Sequence, residues 1–130
     1  MLIVEDQEAM RRSLREFLQS AFPEKKILEA PDGATALRLC REHPPSVVLM
    51  DIGLPDANGI ELTARIKAML PDTRVIVVST FTGKAYVDHA RAAGAFAYIE
   101  KSTVYEALLP ALQAALSQHS GSAGNNPIGT

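Results

Sequence analysis

Short runs of continuous apolar residues alternate along this chain with longer stretches in which apolar residues recur every three or four positions. Leu2-Ile3-Val4 opens the chain as a buried strand. Over 7–21 the period becomes helical, with Met10, Leu14, Phe17, Leu18 and Ala21 on one face, and Pro23 stops the helix. Residues 25–30 predict a second strand. Asp32-Gly33 is a turn in which Asp32 can cap the next helix, which runs to about Glu42 with Ala36, Leu37 and Cys40 inward. Pro44-Pro45 then separates it from Val47-Val48-Leu49-Met50, the clearest buried strand.

Breakers fill the loop over 51–57, and Asn58 can cap a third helix carrying Leu62, Ile66 and Met69. Val75-Ile76-Val77-Val78 is a strand that is apolar on both faces. The spacing predicts a fourth helix over 84–93, ended by Gly94, and a short strand over 96–99. The fifth helix starts near Thr103, with Val104, Leu108, Leu112 and Leu116 four residues apart. Pro110 inside it removes a hydrogen bond and predicts a kink or an early break, which weighs against a dimer built on a straight fifth helix. From 119 to 130 there is almost nothing to bury, so the expected organisation is one domain over 1–118 and a flexible tail or linker stub over 119–130.

Near-continuous apolar strands alternating with helices belong in a parallel sheet covered on both faces. Right-handed crossovers make that a doubly wound α/β fold, and such sheets place their sites outside the carboxyl ends of the strands. There the chain carries Glu5-Asp6 after strand one, Asp51 after strand three, Ser79-Thr80 after strand four and Glu100-Lys101 after strand five. With strands one and three adjacent, three carboxylates converge. Like charges that close call for a cation, and a hard divalent ion with oxygen ligands such as Mg²⁺ suits them. Asp51, directly after the most buried strand, is the best nucleophile for an aspartyl phosphate. Gly53 can offer its backbone carbonyl to the metal, Ser79 can bond a phosphoryl oxygen, and Lys101 supplies positive charge to the same oxygens. Taken singly, each is an ordinary loop residue, strand-end cap or surface lysine; the convergence selects them.

Composition removes several alternatives. The 130 residues are 47% hydrophobic, enough for one core without disulfides, and Cys40 is the single cysteine. Its apolar neighbours point to a core-filling thiol. A formal net charge of −2 without a Lys/Arg block gives no footprint for nucleic acid or an anionic membrane. Neither a signal-like segment nor a spanning apolar run is visible, so the expected location is the cytoplasm.

Together these residues resemble the receiver domains of two-component response regulators. The resemblance is carried by Leu-Ile-Val-Glu-Asp-Gln at 2–7, Val-Val-Leu-Met-Asp-Ile-Gly-Leu-Pro-Asp-Ala-Asn-Gly-Ile-Glu-Leu at 47–62, Arg-Val-Ile-Val-Val-Ser-Thr at 74–80 and Gly-Ala-Phe-Ala-Tyr-Ile-Glu-Lys at 94–101. It covers about 1–118, and the block around Asp51 is most like receivers that precede LuxR-type helix-turn-helix domains. It implies a flavodoxin-like five-stranded parallel sheet of order 2-1-3-4-5 with five helices. Glu5 and Asp6 then hold Mg²⁺ (or Mn²⁺), with Asp6 the direct ligand. Asp51 is the phosphoacceptor, Ser79 the switch hydroxyl, Lys101 the charge-neutralising lysine, and Tyr98 the aromatic that changes rotamer. The implied partner is a sensor histidine kinase. The implied readout is a shift of the surface of helix four, strand five and helix five, where a homodimer can form. The implied output is transcription regulation by a DNA-binding domain outside this chain. Such a domain is a switch that assists its own phosphorylation and dephosphorylation rather than an enzyme.

Some positions depart from the common receiver pattern. Ser102 follows Lys101 where many receivers have proline. Gly53 and Phe81 lie two residues after Asp51 and Ser79, offsets that in this family flank the phosphoryl group and tune its lifetime. A bulky Phe81 shields the site from water and Gly53 opens it, two opposed effects. Three rival readings fare worse. A flavodoxin needs a Ser/Thr/Gly-rich phosphate loop where Glu5-Asp6-Gln7-Glu8 stands. A haloacid-dehalogenase-type hydrolase typically has a second aspartate where Gly53 stands. A pseudo-receiver usually lacks an acidic ligand, the acceptor or the lysine, all present here.

Overall fold

The computed structural model describes the backbone of residues 1–121. Five strands, β1 (Leu2–Val4), β2 (Leu28–Ala30), β3 (Val47–Met50), β4 (Arg74–Ser79) and β5 (Ala97–Glu100), form one parallel sheet in the order β2-β1-β3-β4-β5. Between and after them come α1 (Glu8–Ala21), α2 (Gly33–Glu42), α3 (Gly59–Met69), α4 (Lys84–Ala92) and α5 (Val104–Gly121). The predicted topology is therefore the observed one.

The pleat sorts each strand between two layers, because successive side chains point to opposite faces. Val47 and Leu49 join Ile3, Ile76 and Val78 against Leu14 and Leu18 of α1 and Leu108 and Leu112 of α5. Val48 and Met50 join Leu2, Val4 and Val75 against Ala36, Leu37 and Cys40 of α2 and Leu62 and Ile66 of α3. Burial pushes the Cys40 thiol up to about 11, so it stays a protonated core residue. A third, smaller cluster of Ile52, Val77 and Ala90 underlies α4.

Local chemistry sets the ends. Asp32 caps α2 by accepting from Thr35 N–H at 2.7 Å, and the Asn58 side chain caps α3 by accepting from Ile60 N–H at 2.8 Å. Two expectations need correction. Strand β2 begins at Leu28 rather than Lys25, because Lys25 N–H closes a turn on the Phe22 carbonyl at 3.0 Å. Of the kink or early break expected at Pro110, the break does not occur, and α5 continues to Gly121. Pro110 is exposed, so the carbonyl it frees lies on the side open to solvent, while Leu108, Leu112 and Ala115 on the opposite face are fully buried and hold the helix down. Helix α5 ends at Gly121, and residues 122–130 of the tail expected over 119–130 lie outside the described residues. No helix among the described residues is long and apolar enough to cross a membrane.

Candidate functional site

The β1–β3 ladder fixes the centre of the site. Val4 pairs with Met50, and the ladder bonds extend one residue further: Glu5 N–H donates to Ala30 carbonyl and Asp51 N–H to Val4 carbonyl, each at 3.0 Å. Glu5 and Asp51 therefore leave the sheet from adjacent strands. Carboxylate oxygens of Glu5, Asp6 and Asp51 come within 4.8 Å of one another. Glu5 and Asp51 are only 2% and 8% exposed, while Asp6 faces solvent. Ser79 pairs with Glu100 at the end of the β4–β5 ladder, which brings Lys101 to the same edge.

Lys101 bridges two of the carboxylates. Its Nζ lies 2.8 Å from Glu5 Oε1 and 3.5 Å from Asp51 Oδ2. The second Glu5 oxygen accepts from Gln7 N–H at 3.1 Å, and Arg11 donates to the Glu5 carbonyl at 2.9 Å. Burial lifts the Glu5 carboxyl above its ordinary range, against the pull of Lys101 and the Gln7 N–H and with the charge of Asp51 adding to the rise. Asp51 is raised for the same first reason, against the attraction of Lys101 and with Asp6 repelling it. Burial pulls the Lys101 ammonium down, but Glu5 and Asp51 outweigh it and leave Lys101 raised and charged. One lysine thus does not compensate the acidic pocket.

The loop after β3 is pinned from beneath. Gly59 N–H donates to the Ile52 carbonyl at 2.8 Å, and a β carbon at Gly59 would lie 2.0 Å from the Asp51 carbonyl oxygen. Only glycine permits that approach. Asp56 reaches across to α2 and accepts from Gly33 N–H at 2.8 Å and Ala34 N–H at 3.0 Å, a carboxylate set on a helix N-terminus. Gly53 is exposed in this loop.

The predicted switch pair meets on a single residue. Ser79 is fully buried, and its Oγ accepts from Phe81 N–H at 2.9 Å. The half-buried Tyr98 donates its hydroxyl to the Phe81 carbonyl at 2.7 Å. Burial raises the Tyr98 phenol, and Ser79 acts against it. Glu5, Asp6, Asp51, Gly53, Ser79 and Lys101 therefore lie at the carboxyl edge of the sheet, and Tyr98, inside β5, reaches the loop after β4 through its hydroxyl. The sequence pattern singles out none of Asp56, Gly59, Arg11 and Tyr86. Asp56 and Gly59 stand within the segment 47–62, yet only their contacts with Gly33 and Asp51 explain them.

A family described as "Response regulator receiver domain" matches residues 1–113. The transcriptional regulatory protein YxjL of Bacillus subtilis (strain 168) is 33% identical over 113 residues, 87% of this chain and 52% of that protein. The chain spans about half the length of the curated relatives it matches. A two-component response regulator of the LuxR family from Aurantimonas sp. SI85-9A1 superposes with a TM-score of 0.79 at 31% identity, covering 89% of this chain and 83% of that one. A CheY-like receiver domain protein from Methanospirillum hungatei JF-1 gives 0.85 at 27% identity, with 95% and 96% covered.

Proposed function

This chain belongs to the response regulator receiver domain family, and from that premise we propose that it is switched by a phosphoryl group carried on Asp51. The observation that supports this reading is the placement of Asp51: buried at the end of β3, within 3.5 Å of Lys101 and clustered with Glu5 and Asp6. An Asp51 oxygen bonds to phosphorus as the bond from phosphorus to the donor breaks. With a histidine kinase as donor that is the P–N bond of a phosphohistidine, and imidazole is the leaving group.

The three carboxylates form an all-oxygen donor set for a hard divalent ion. Both Glu5 oxygens are engaged, by Lys101 and by Gln7 N–H, whereas Asp6 is exposed. Asp6 and Asp51 would hold Mg²⁺ directly, with the Gly53 carbonyl completing the protein ligands and Glu5 orienting them. Mn²⁺ serves the same set. The ion supplies charge neutralisation to the transferring oxygens. Lys101, within 3.5 Å of Asp51, would add positive charge to the same oxygens. Ser79 then exchanges the Phe81 N–H for a phosphoryl oxygen, and Tyr98, bonded to the same residue, moves with it.

The surface that responds consists of α4, β5 and α5, which is where a homodimer would form. The output is transcription regulation through a DNA-binding domain outside this chain, the arrangement that the relatives named as transcriptional regulators suggest. Incubation with acetyl phosphate and Mg²⁺, read by intact mass, tests the acceptor. One added phosphate that is lost in Asp51→Ala and in EDTA is the expected result. No adduct under rapid quenching, or an adduct that survives Asp51→Ala, would overturn the assignment and leave a domain that works by protein contacts alone.

A further inference from the structure

Phe81 and Tyr86 stack beside the mouth of the site, with ring centroids 5.0 Å apart and planes at 21°. Both rings remain in contact with water, Phe81 at 41% and Tyr86 at 38% exposure. The backbone of Phe81 is held twice, by Ser79 Oγ and by the Tyr98 hydroxyl. Its ring is held by neither of these bonds. A β carbon at Gly53 would lie 3.8 Å from Phe81 Cε2, so the ring reaches from the end of β4 across to the loop after β3. Asp51 stands two residues before Gly53, and Ser79 two before Phe81. The ring consequently lies against the loop that follows Asp51, at the side of the opening between the ends of β3 and β4. Tyr86, in the first turn of α4, is its stacked aromatic partner.

We propose that Tyr86 is a positioning residue that holds the Phe81 ring as a roof over Asp51 and slows hydrolysis of the phosphoryl group. The inference rests on Asp51 being the acceptor. In hydrolysis a water oxygen bonds to phosphorus, the bond from phosphorus to the Asp51 oxygen breaks, the carboxylate is regenerated and inorganic phosphate leaves with the protons of the water. In-line attack brings that water from the side opposite the buried Asp51 oxygen, which is the open mouth. A ring held there excludes water, and a ring free to turn away admits it. Since Tyr86 rides on α4, whatever displaces α4 also lifts the roof.

The test is the decay of the Asp51 adduct after removal of acetyl phosphate, followed by intact mass in parent protein, Tyr86→Ala, Tyr86→Phe, Phe81→Ala and the double variant Phe81→Ala/Tyr86→Ala. Tyr86→Ala is expected to decay about two- to tenfold faster, the factor to which loss of one aromatic pair corresponds. Tyr86→Phe keeps the stack and should decay at the parent rate. Phe81→Ala should be at least as fast as Tyr86→Ala, and adding Tyr86→Ala to it should change nothing, because Tyr86 acts through Phe81. A merely structural role would accelerate decay in both backgrounds, and that result overturns the proposal. So does an unchanged rate in Tyr86→Ala. If no adduct forms in the parent protein, the assignment of Asp51 falls and the roof with it. An adduct that forms and decays alike in parent and Tyr86→Ala removes only the roof.

Discussion

Helix α3 buries Gly59, Leu62, Thr63 and Ile66, whereas α4 buries Ala90 alone. On the α3 side of the pocket nearly every group is fixed. Gly59 packs directly on the Asp51 backbone, Thr63 Oγ1 donates to the Gly59 carbonyl at 2.8 Å, and Asp56 ties the loop to α2. On the other side, α4 starts at Gly83 with φ +114° and no side-chain cap, and it rests on the smallest of the three core clusters. The phosphoryl transfer proposed for Asp51 needs groups held in place, which the contacts on the α3 side supply. A readout must move at low cost, and few buried contacts keep that cost low.

The sharpest test of this contrast uses the two glycines. Gly59→Ala drives a β carbon to 2.0 Å from the Asp51 carbonyl oxygen and 2.8 Å from Ile52 Cα. A loss of about 3–4 kcal/mol in urea unfolding is expected. Gly83→Ala meets nothing within 4 Å and suffers only its positive φ, for about 1–2 kcal/mol. Equal losses would break the comparison.

The electrostatic strain of the rigid side is the next target. Glu5 and Asp51 are raised by burial, so between their unfolded and folded pKa values the folded metal-free protein binds more protons than the unfolded chain. Their contribution to stability is therefore lost as pH rises through the raised folded values. Mg²⁺ should restore it at neutral pH, by about 2.7 kcal/mol at a hundredfold excess over its Kd. The gain should fade toward acid pH as the carboxyls protonate. Melting curves with and without Mg²⁺ across pH follow both effects. Asp51→Asn should melt higher than the parent protein without metal and gain little from Mg²⁺; a lower metal-free Tm would show that the pocket is not strained.

Smaller effects separate the two sides further. Asp56→Ala removes both bonds to the α2 N-terminus and should cost about 1–2 kcal/mol in the same urea assay. Tyr98→Phe removes one hydroxyl bond to the Phe81 carbonyl, for about 0.5–1 kcal/mol. Hydrogen exchange should then quicken over residues 80–92 and stay unchanged in α3. Faster exchange in α3 as well would mean that the two sides open together.

Apolar periodicity, punctuated by proline, glycine and capping residues, determined the number, type and order of the strands and α-helices, because a strand of Val47-Val48-Leu49-Met50 and a helix with Leu14 and Leu18 bury their side chains at different periods. The strand ends then named Glu5, Asp6, Asp51, Ser79 and Lys101, since a doubly wound parallel sheet gathers its carboxyl termini at one edge. Only the tertiary structure decided who meets whom at that edge. Lys101 lies closer to Glu5 than to Asp51, and Phe81 receives both Ser79 and Tyr98. Asp56 caps a helix that begins 23 residues earlier. The survival of α5 through Pro110 was likewise decided by burial on the far face, against the local preference of proline. The physical reason is the same in each case. Backbone preference and hydrophobic period act over a few residues and can be read in order along the chain, whereas these contacts depend on distances between residues that only the packed sheet and helices bring together.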